Sequence, residues 1–367
     1  MIYFDHNAST PIAPSVLEAM LPFLQRFHAN PSSLHKQGRI ARTAIDTARE
    51  QVASALDAVN TQIIFTSSAT EANALALSVL TPGQALALSA IEHPSVSAQA
   101  DFLAKQGYGV TVLSVDSSGL VTDSALTELS VKQPDLVSVM SANNETGVIQ
   151  DMVAIANRAS NYGGLVHTDA VQAFGKIPLS FKQLGVNLMS VSGHKIYGPK
   201  GVGALIVDKT VALKPLFHGG GQELGVRSGT ENVAAIVGFG EACRLAHQRL
   251  VERSQYLQRL RDELELGLIA LPGVTLFAKD VARLPNTSQF GIAGIDGEML
   301  VMKLDRKNVA VSSASACASG GGEPSPVLLA MGVSPEQAKT AIRVSLGETN
   351  QMSDIIEFLS ILKSLLA

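Results

Sequence analysis

Cysteine is scarce in this sequence: two residues, Cys243 and Cys317, in 367. Two are too few for a disulfide scaffold. A stapled secreted fold is excluded, and a reducing, cytoplasmic setting is expected. Long hydrophobic runs are missing too. No stretch approaches the roughly 20 uninterrupted apolar residues of a membrane span. Met1 to Asp5 carry neither a basic n-region nor an apolar h-region, so neither a membrane partner nor a signal peptide is expected. Positive charge is not in excess: 28 Lys and Arg stand against 32 Asp and Glu, a net charge of −4. Without a basic footprint, direct nucleic-acid binding is not expected. No histidine pair and no Cys-x-x-Cys has metal-ligand spacing, so no metal is expected. Internal repeats and low-complexity tracts are absent; Gly320-Gly-Gly322 comes nearest.

What is present is apolar: 46% of residues are hydrophobic and 16% charged, the balance of a well-buried globular chain. The length exceeds one small core, so one large and one smaller domain are expected. Residues 13–26 read as an amphipathic helix that Pro22 should bend or end. Residues 37–56 read as a long helix. From residue 62 short apolar strands alternate with helical segments, at 62–66, 85–89, 109–115, 136–141, 165–169, 186–191 and 203–207. This predicts an α/β fold with a mostly parallel seven-stranded sheet flanked by helices. A Gly-rich loop, 218–229, leads into one long helical segment from about Thr230 to Ala270. The remainder reads as a smaller α+β domain, with strands near 274–278, 286–292 and 309–313, a helix near 296–307 and a closing helix from about 352. The domains are placed at 13–255 (large) and at 1–12 with 256–367 (small). In such sheets ligands bind outside the carboxyl ends of the strands, and the chemically suggestive residues fall there.

Lys195 follows the strand ending at Val191, in Ser192-Gly-His-Lys-Ile-Tyr-Gly-Pro. It reads either as a solvated loop lysine or as an amine that holds a carbonyl cofactor as a Schiff base. Asp169 ends the previous strand. A carboxylate and an amine facing one crevice are what pyridoxal phosphate (PLP) needs. Ser68-Ala69-Thr70-Glu71 opens a helix after the first strand. Ser68 and Glu71 fit a capping box, and the free N–H groups of a helix start suit a phosphate. Ser192, His194 and Thr230 are further donors for it. His93 reads as a structural histidine or as a ring stacked on a flat cofactor. Asn144 and Gln172 read as turn formers or as hydrogen-bond partners of a cofactor oxygen or substrate carboxylate. Arg343, a lone charge in an apolar strand-like segment, reads as half of an ion pair or as a carboxylate clamp. Cys317 sits among small residues and glycines, a setting that suits a travelling nucleophile. Cys243, in a helical segment, reads as packing.

The sequence resembles the PLP-dependent cysteine desulfurases of aminotransferase class V, fold type I, and within them the subgroup with the longer cysteine loop. The motifs that carry this run nearly end to end: Asp5-His-Asn-Ala-Ser-Thr-Pro, Asn30-Pro-Ser-Ser-Leu-His, Ser68-Ala-Thr-Glu, Glu92-His, Asn143-Asn-Glu-Thr-Gly, His167-Thr-Asp-Ala-Val-Gln, Ser192-Gly-His-Lys, Arg227-Ser-Gly-Thr-Glu-Asn, Ser312-Ser-Ala-Ser-Ala-Cys and Arg343-Val-Ser-Leu-Gly. The resemblance implies that Lys195 carries the PLP aldimine and Asp169 pairs with the ring nitrogen. It implies that His93 stacks on the ring and relays protons, and that Gln172 and Asn144 contact the phenolic oxygen. Ala69, Thr70, Ser192 and His194 would hold the phosphate, with Thr230 reaching in from the second subunit of a homodimer. Asn144 and Arg343 would hold the carboxylate of L-cysteine. The implied reaction yields L-alanine through a PLP ketimine and leaves a persulfide on Cys317. A sulfur-acceptor protein would then take the sulfur for iron–sulfur cluster assembly or thiolation. The rival readings are a selenocysteine lyase, a class V aminotransferase, and a non-catalytic sulfur-relay protein.

Overall fold

The computed structural model describes residues 1–59, 62–313 and 323–366. β1 (Ile2–Tyr3) precedes helices α1 (Pro14–Gln25) and α2 (Lys36–Ala55). Strands and helices then alternate: β2 (Ile63–Thr66), α3 (Ala69–Leu77), β3 (Ala85–Ser89), α4 (Pro94–Lys105), β4 (Gly109–Leu113), α5 (Asp123–Lys132), β5 (Leu136–Ser138), α6 (Met152–Ser160), β6 (Leu165–Asp169), α7 (Phe181–Leu184), β7 (Leu188–Ser192) and β8 (Gly203–Val207). Helices α8 (Val233–Gln248) and α9 (Leu250–Ile269) follow. The rest forms β9 (Val274–Leu276), β10 (Thr287–Ile292), α10 (Gly297–Asp305), β11 (Val309–Ala310), β12 (Ser312–Ser313), α11 (Pro326–Ala330), α12 (Pro335–Ala338), β13 (Ala341–Ser345) and α13 (Met352–Leu366).

All seven expected strands form one sheet, in the order β2-β8-β7-β6-β5-β3-β4. Only β8 runs against its neighbours. The carboxyl ends of β2, β3, β5, β6 and β7 therefore share one edge, and the start of β8 joins them. Side chains alternate across the pleat. Phe65, Val137, Met189 and Ile206 enter one apolar cluster, with α1, α2, α5, α6 and α8. Their neighbours Ile64, Leu136, Leu188 and Leu205 enter another, with α3 and α4. Burial on both faces explains why these strands read as continuous apolar runs.

A second, antiparallel sheet has the order β12-β13-β10-β9. Its core unites Phe4, Leu257, Leu260 and Leu264 of α9, Phe290, Ile342, Phe358 and Leu362. β1 pairs with β11, so the first residues of the chain lie against its last third.

Helix α1 runs through Pro22, which lies in its last turn, and ends three residues later, at Gln25. Two expectations need correction. The expected helix from about Thr230 to Ala270 is two helices. The break is at Arg249, where φ is −100° and ψ is 5°; Arg249 and Arg253 there both reach the carboxylate of Glu348. The expected strand at 309–313 is two: β11 pairs with β1 and β12 with β13. The short elements β1, α11 and α12 were not expected.

Gly203 lets the turn before α3 lie against the sheet. A Cβ on Gly203 would come within 2.7 Å of the Val191 carbonyl oxygen and 2.9 Å of the Ser68 carbonyl carbon, both backbone. Gly203→Ala is expected to destabilise the protein by about 1–3 kcal/mol and to displace the start of α3, measured by denaturant unfolding.

His167 is fully buried in β6, with its ring nitrogens 2.9 Å from Ser138 Oγ and 3.0 Å from Ser190 Oγ. Burial holds its pKa at about 3, against 6.5 for a free histidine. His6 is held at about 4, by burial first and then by Lys176. Between these values and 6.5 the unfolded chain binds protons that the folded chain does not. The stabilisation is complete above pH 6.5 and is lost as pH falls through 4 and then 3. Glu92 tilts the other way. Full burial, aided by Asp169, outweighs the Ser89 and Met140 hydrogen bonds and pushes it up to about 8. Its contribution is complete below 4.5 and is lost as pH rises through 8. The melting temperature is expected to fall between pH 6.5 and 4, with a shallower acid limb in His167→Gln, measured calorimetrically.

Candidate active site

The carboxyl ends of β2, β3, β5, β6 and β7 each deliver one part of a site. After β2 the chain turns into α3, where Ser68 Oγ accepts from the Glu71 N–H at 3.3 Å. The return arm of the expected capping box is displaced by one residue: Glu71 accepts from the N–H of Ser67 at 2.8 Å and from its hydroxyl at 2.6 Å. Glu71 is also held by the Arg227 guanidinium at 2.8 Å, which fastens the 218–229 loop to this helix start. After β3, His93 caps α4, its Nδ1 accepting from the Ser95 N–H at 3.1 Å. This is the structural role; the ring also lines the cavity described below. Burial lowers its proton affinity first, with Asp169 opposing and Lys195 adding.

Asp169 ends β6. Its Oδ2 accepts from Asn73 Nδ2 at 2.8 Å and its Oδ1 from the Val171 N–H at 3.0 Å, so the carboxylate is fixed at both oxygens. β7 ends at Ser192, and a 3-10 turn, Gly193–Lys195, follows. Residues 7–10 clasp this turn. Thr10 donates to the His194 carbonyl from both its N–H and its hydroxyl, each at 2.9 Å. Lys195 Nζ donates to the carbonyls of Asn7 (2.5 Å) and Ala8 (2.8 Å). Burial, then Lys195 and Lys200, hold His194 at about 4, so its imidazole is neutral at pH 7.

These parts enclose a cavity of about 250 Å³ whose lining includes Ala69, Thr70, His93, Asn144, Asp169, Gln172, Ser192, His194 and Lys195. Nine expected residues are thus brought together. Thr230 is exposed and outside the lining. Arg343 is buried on β13, also outside the lining. It donates to the Asn144 carbonyl at 3.0 Å and forms an ion pair with Asp5 at 2.7 Å through its terminal nitrogens. Its Nε has no acceptor among the described residues. Cys317 lies outside the described residues. Cys243 is buried, and burial pushes its thiol well above the usual range, as packing requires. Among the described residues no cluster of His, Cys, Asp and Glu could hold a metal ion, and no helix is long and apolar enough to cross a membrane.

Sequence reasoning passed over four residues of the site's frame: Asp5, Asn7, Asn73 and Lys176. Two carried a signal. Asn73 is a polar residue within the apolar run Ala72 to Leu77, and Lys176 stands four residues after Gln172 in an apolar stretch. Asp5 and Asn7 lie in the first of the motifs that carry the family resemblance, which gave neither of them a role.

The sequence matches the family described as aminotransferase class-V over residues 2–358. Cysteine desulfurase IscS of Dictyoglomus turgidum is 41% identical over 374 aligned positions, covering all of this chain and 94% of that protein. The X-ray structure of a NifS-like protein from Rickettsia africae superposes with a TM-score of 0.93 at 39% identity, covering 100% of this chain and 99% of that one. A structure described as SspA in complex with cysteine gives 0.83 at 35% identity, covering 94% and 99%. The chain belongs to the aminotransferase class-V family, within the group of proteins named cysteine desulfurases.

Proposed function

We propose that this protein is a PLP-dependent cysteine desulfurase, which converts L-cysteine to L-alanine and takes the sulfur onto Cys317. The observation that carries the reading is the single cavity that collects Lys195, Asp169, His93 and the start of α3. Its donor set suits PLP. The first-turn N–H groups of α3 at Ala69 and Thr70, with Ser192 and the neutral imidazole of His194, offer hydrogen bonds to a phosphate. Asp169, fixed at both oxygens, offers a carboxylate to the ring nitrogen, and Gln172 an amide to the phenolic oxygen. His93 offers a ring face. When bound, PLP supplies an aldehyde for Lys195 and a ring that accepts electrons from the α-carbon of the amino acid.

The protein's own residues do the rest. The unpartnered Arg343 Nε and the Asn144 amide hold the cysteine carboxylate. Lys195 Nζ takes and returns the α-proton. The Cys317 thiolate attacks the substrate sulfur: an S–S bond forms, and the C–S bond breaks with its electron pair left on carbon. A proton on that carbon completes alanine, and Cys317 keeps a persulfide, a reversible cap. Binding of cysteine by the related SspA supports this substrate.

Thr230, exposed and away from the cavity of its own chain, is assigned to the cavity of a second subunit in a homodimer. A sulfur-acceptor protein in the cytoplasm, serving iron–sulfur cluster assembly or thiolation, would collect the persulfide sulfur from the longer cysteine loop. The same reading divides the chain into domains at 13–255 and at 1–12 with 256–367. The shared core of Phe4 with α9 and α13 supports this.

The test is L-cysteine turnover with sulfide and alanine assayed together. Wild type is expected to release both in equal amounts under a thiol reductant. Cys317→Ala is expected to lose at least about 10³-fold in rate while keeping the visible absorbance of bound PLP. A Cys317→Ala variant as active as wild type, or alanine without sulfide, would overturn the reading in favour of an aminotransferase or lyase.

A further inference from the structure

Lys176 is the least explained polar group near the cavity. It is buried, and among the described residues no carboxylate lies within ion-pairing distance. Its Nζ donates to two neutral amide oxygens, Asn7 Oδ1 and Gln172 Oε1, each at 2.7 Å. Three groups of positive or potentially positive charge face it: Lys195 on the turn after β7, Arg343 on β13 and His6 in the first segment. Burial first, then Lys195 and Arg343, push its proton affinity well below the ordinary lysine range.

The contact with Gln172 bears on the cavity. Residues 170–177 form a tight helical turn, with the Phe174 N–H on the Ala170 carbonyl and the Ile177 N–H on that of Ala173. Side chains four apart on such a turn lie side by side, which places Lys176 directly behind Gln172. The Gln172 amide is held at both ends. Its Nε2 donates at 3.0 Å to the main-chain carbonyl of Asn7, a group that can only accept. Its Oε1 takes the Lys176 hydrogen. Reversing the amide would set Oε1 against the Asn7 carbonyl, which can only accept, and would turn it away from the Lys176 hydrogen. One N–H of Nε2 is used by Asn7, and the other remains to meet a ligand in the cavity that Gln172 lines.

We propose that Lys176 is a positioning residue: by holding Gln172 Oε1 from behind, it keeps the Gln172 amide turned so that a hydrogen-bond donor, not an acceptor, faces the cavity. Such a donor stabilises an anionic ligand oxygen, here the phenolate of the cofactor. The inference rests on the PLP reading.

The test needs no turnover. PLP-loaded protein is titrated with base without substrate, and the pH midpoint of the visible absorbance change is recorded. The charged and titratable groups at the cavity, Asp169, His93, His194 and Lys195, are kept in every variant. Without a donor on its phenolic oxygen the bound chromophore retains its proton longer. Lys176→Met is therefore expected to raise the midpoint by about one unit, and Gln172→Leu by a similar amount. Lys176→Met added to Gln172→Leu is expected to give no further shift. Lys176→Gln, which keeps a donor but is one bond shorter, is expected to give a smaller shift in the same direction, and it carries the test where Lys176→Met does not fold. Lys176 variants that bind PLP with an unchanged midpoint would overturn the inference, as would an equal shift in the Gln172→Leu background. A lysine that merely filled space would change the melting temperature and leave the midpoint alone. Wild type that takes up no PLP at all would bring down the functional reading with it, which is a distinguishable result.

Discussion

Asn7 uses every hydrogen-bonding group it has, in the interior, where none of them could turn to water. Its N–H donates to Ser345 Oγ, and its carbonyl accepts from Lys195 and Gln172. Its side-chain nitrogen donates to the Asn144 carbonyl and to Thr287 Oγ1, and its side-chain oxygen accepts from Lys176 and Asn286. An asparagine amide has two donors and two acceptor sites, and all four are filled. The residues so joined come from the turns after β5, β6 and β7 of the large sheet and from β10 and β13 of the small one. Removing the acceptor of any one of the three N–H bonds of Asn7 would leave a buried donor unmatched, at about 1–3 kcal/mol. The two sheets are therefore tied together at the cavity through the main chain and side chain of one residue that lies outside any helix or strand.

That constraint explains why the first dozen residues contribute so much. The Asp5 carboxylate meets Arg343, Asp5 bridges to Ser345 beside β13, and Thr10 clasps the Lys195 turn. A site at the carboxyl edge of an α/β sheet is open on its outer side. Here this segment does not line the cavity but holds from behind residues that do, Asn144, Gln172 and Lys195, with Arg343 buried between Asn144 and Asp5. The amine that would do the chemistry is thus held against main-chain carbonyls and not left to wander.

The large sheet was legible because its strands are buried on both faces, and two-sided burial leaves an apolar run that needs no partner to be recognised. The site residues on those strand ends were legible for a related reason, since the edge of a parallel sheet is where ligands sit. Lys195, Asp169 and His93 could be placed from their position in the chain alone. Asn7 and Lys176 could not. They lie 169 positions apart in sequence, and their roles exist only once the chain has closed. The break at Arg249 was hidden for the same reason. Neither glycine nor proline marks it, and Glu348, the group that engages Arg249 and Arg253, lies 99 positions beyond Arg249.

The electrostatics of the cavity point the same way as its geometry. Lys195 depresses the proton affinities of His194, His93 and Lys176 alike, so a positive potential spreads from the turn after β7. Lys200 adds to it at His194. Asp169 works against it at His93 and raises Glu92, so the end of β6 is the negative part of the same space. A ligand that matches this field carries its anionic groups toward His194 and the start of α3, and a cationic or protonated ring atom toward Asp169. Partial burial leaves this field less screened by salt than that of surface charges. The lining alone would admit many small molecules of suitable size. The gradient across it favours those with negative charge at one end and a positive or protonated group at the other.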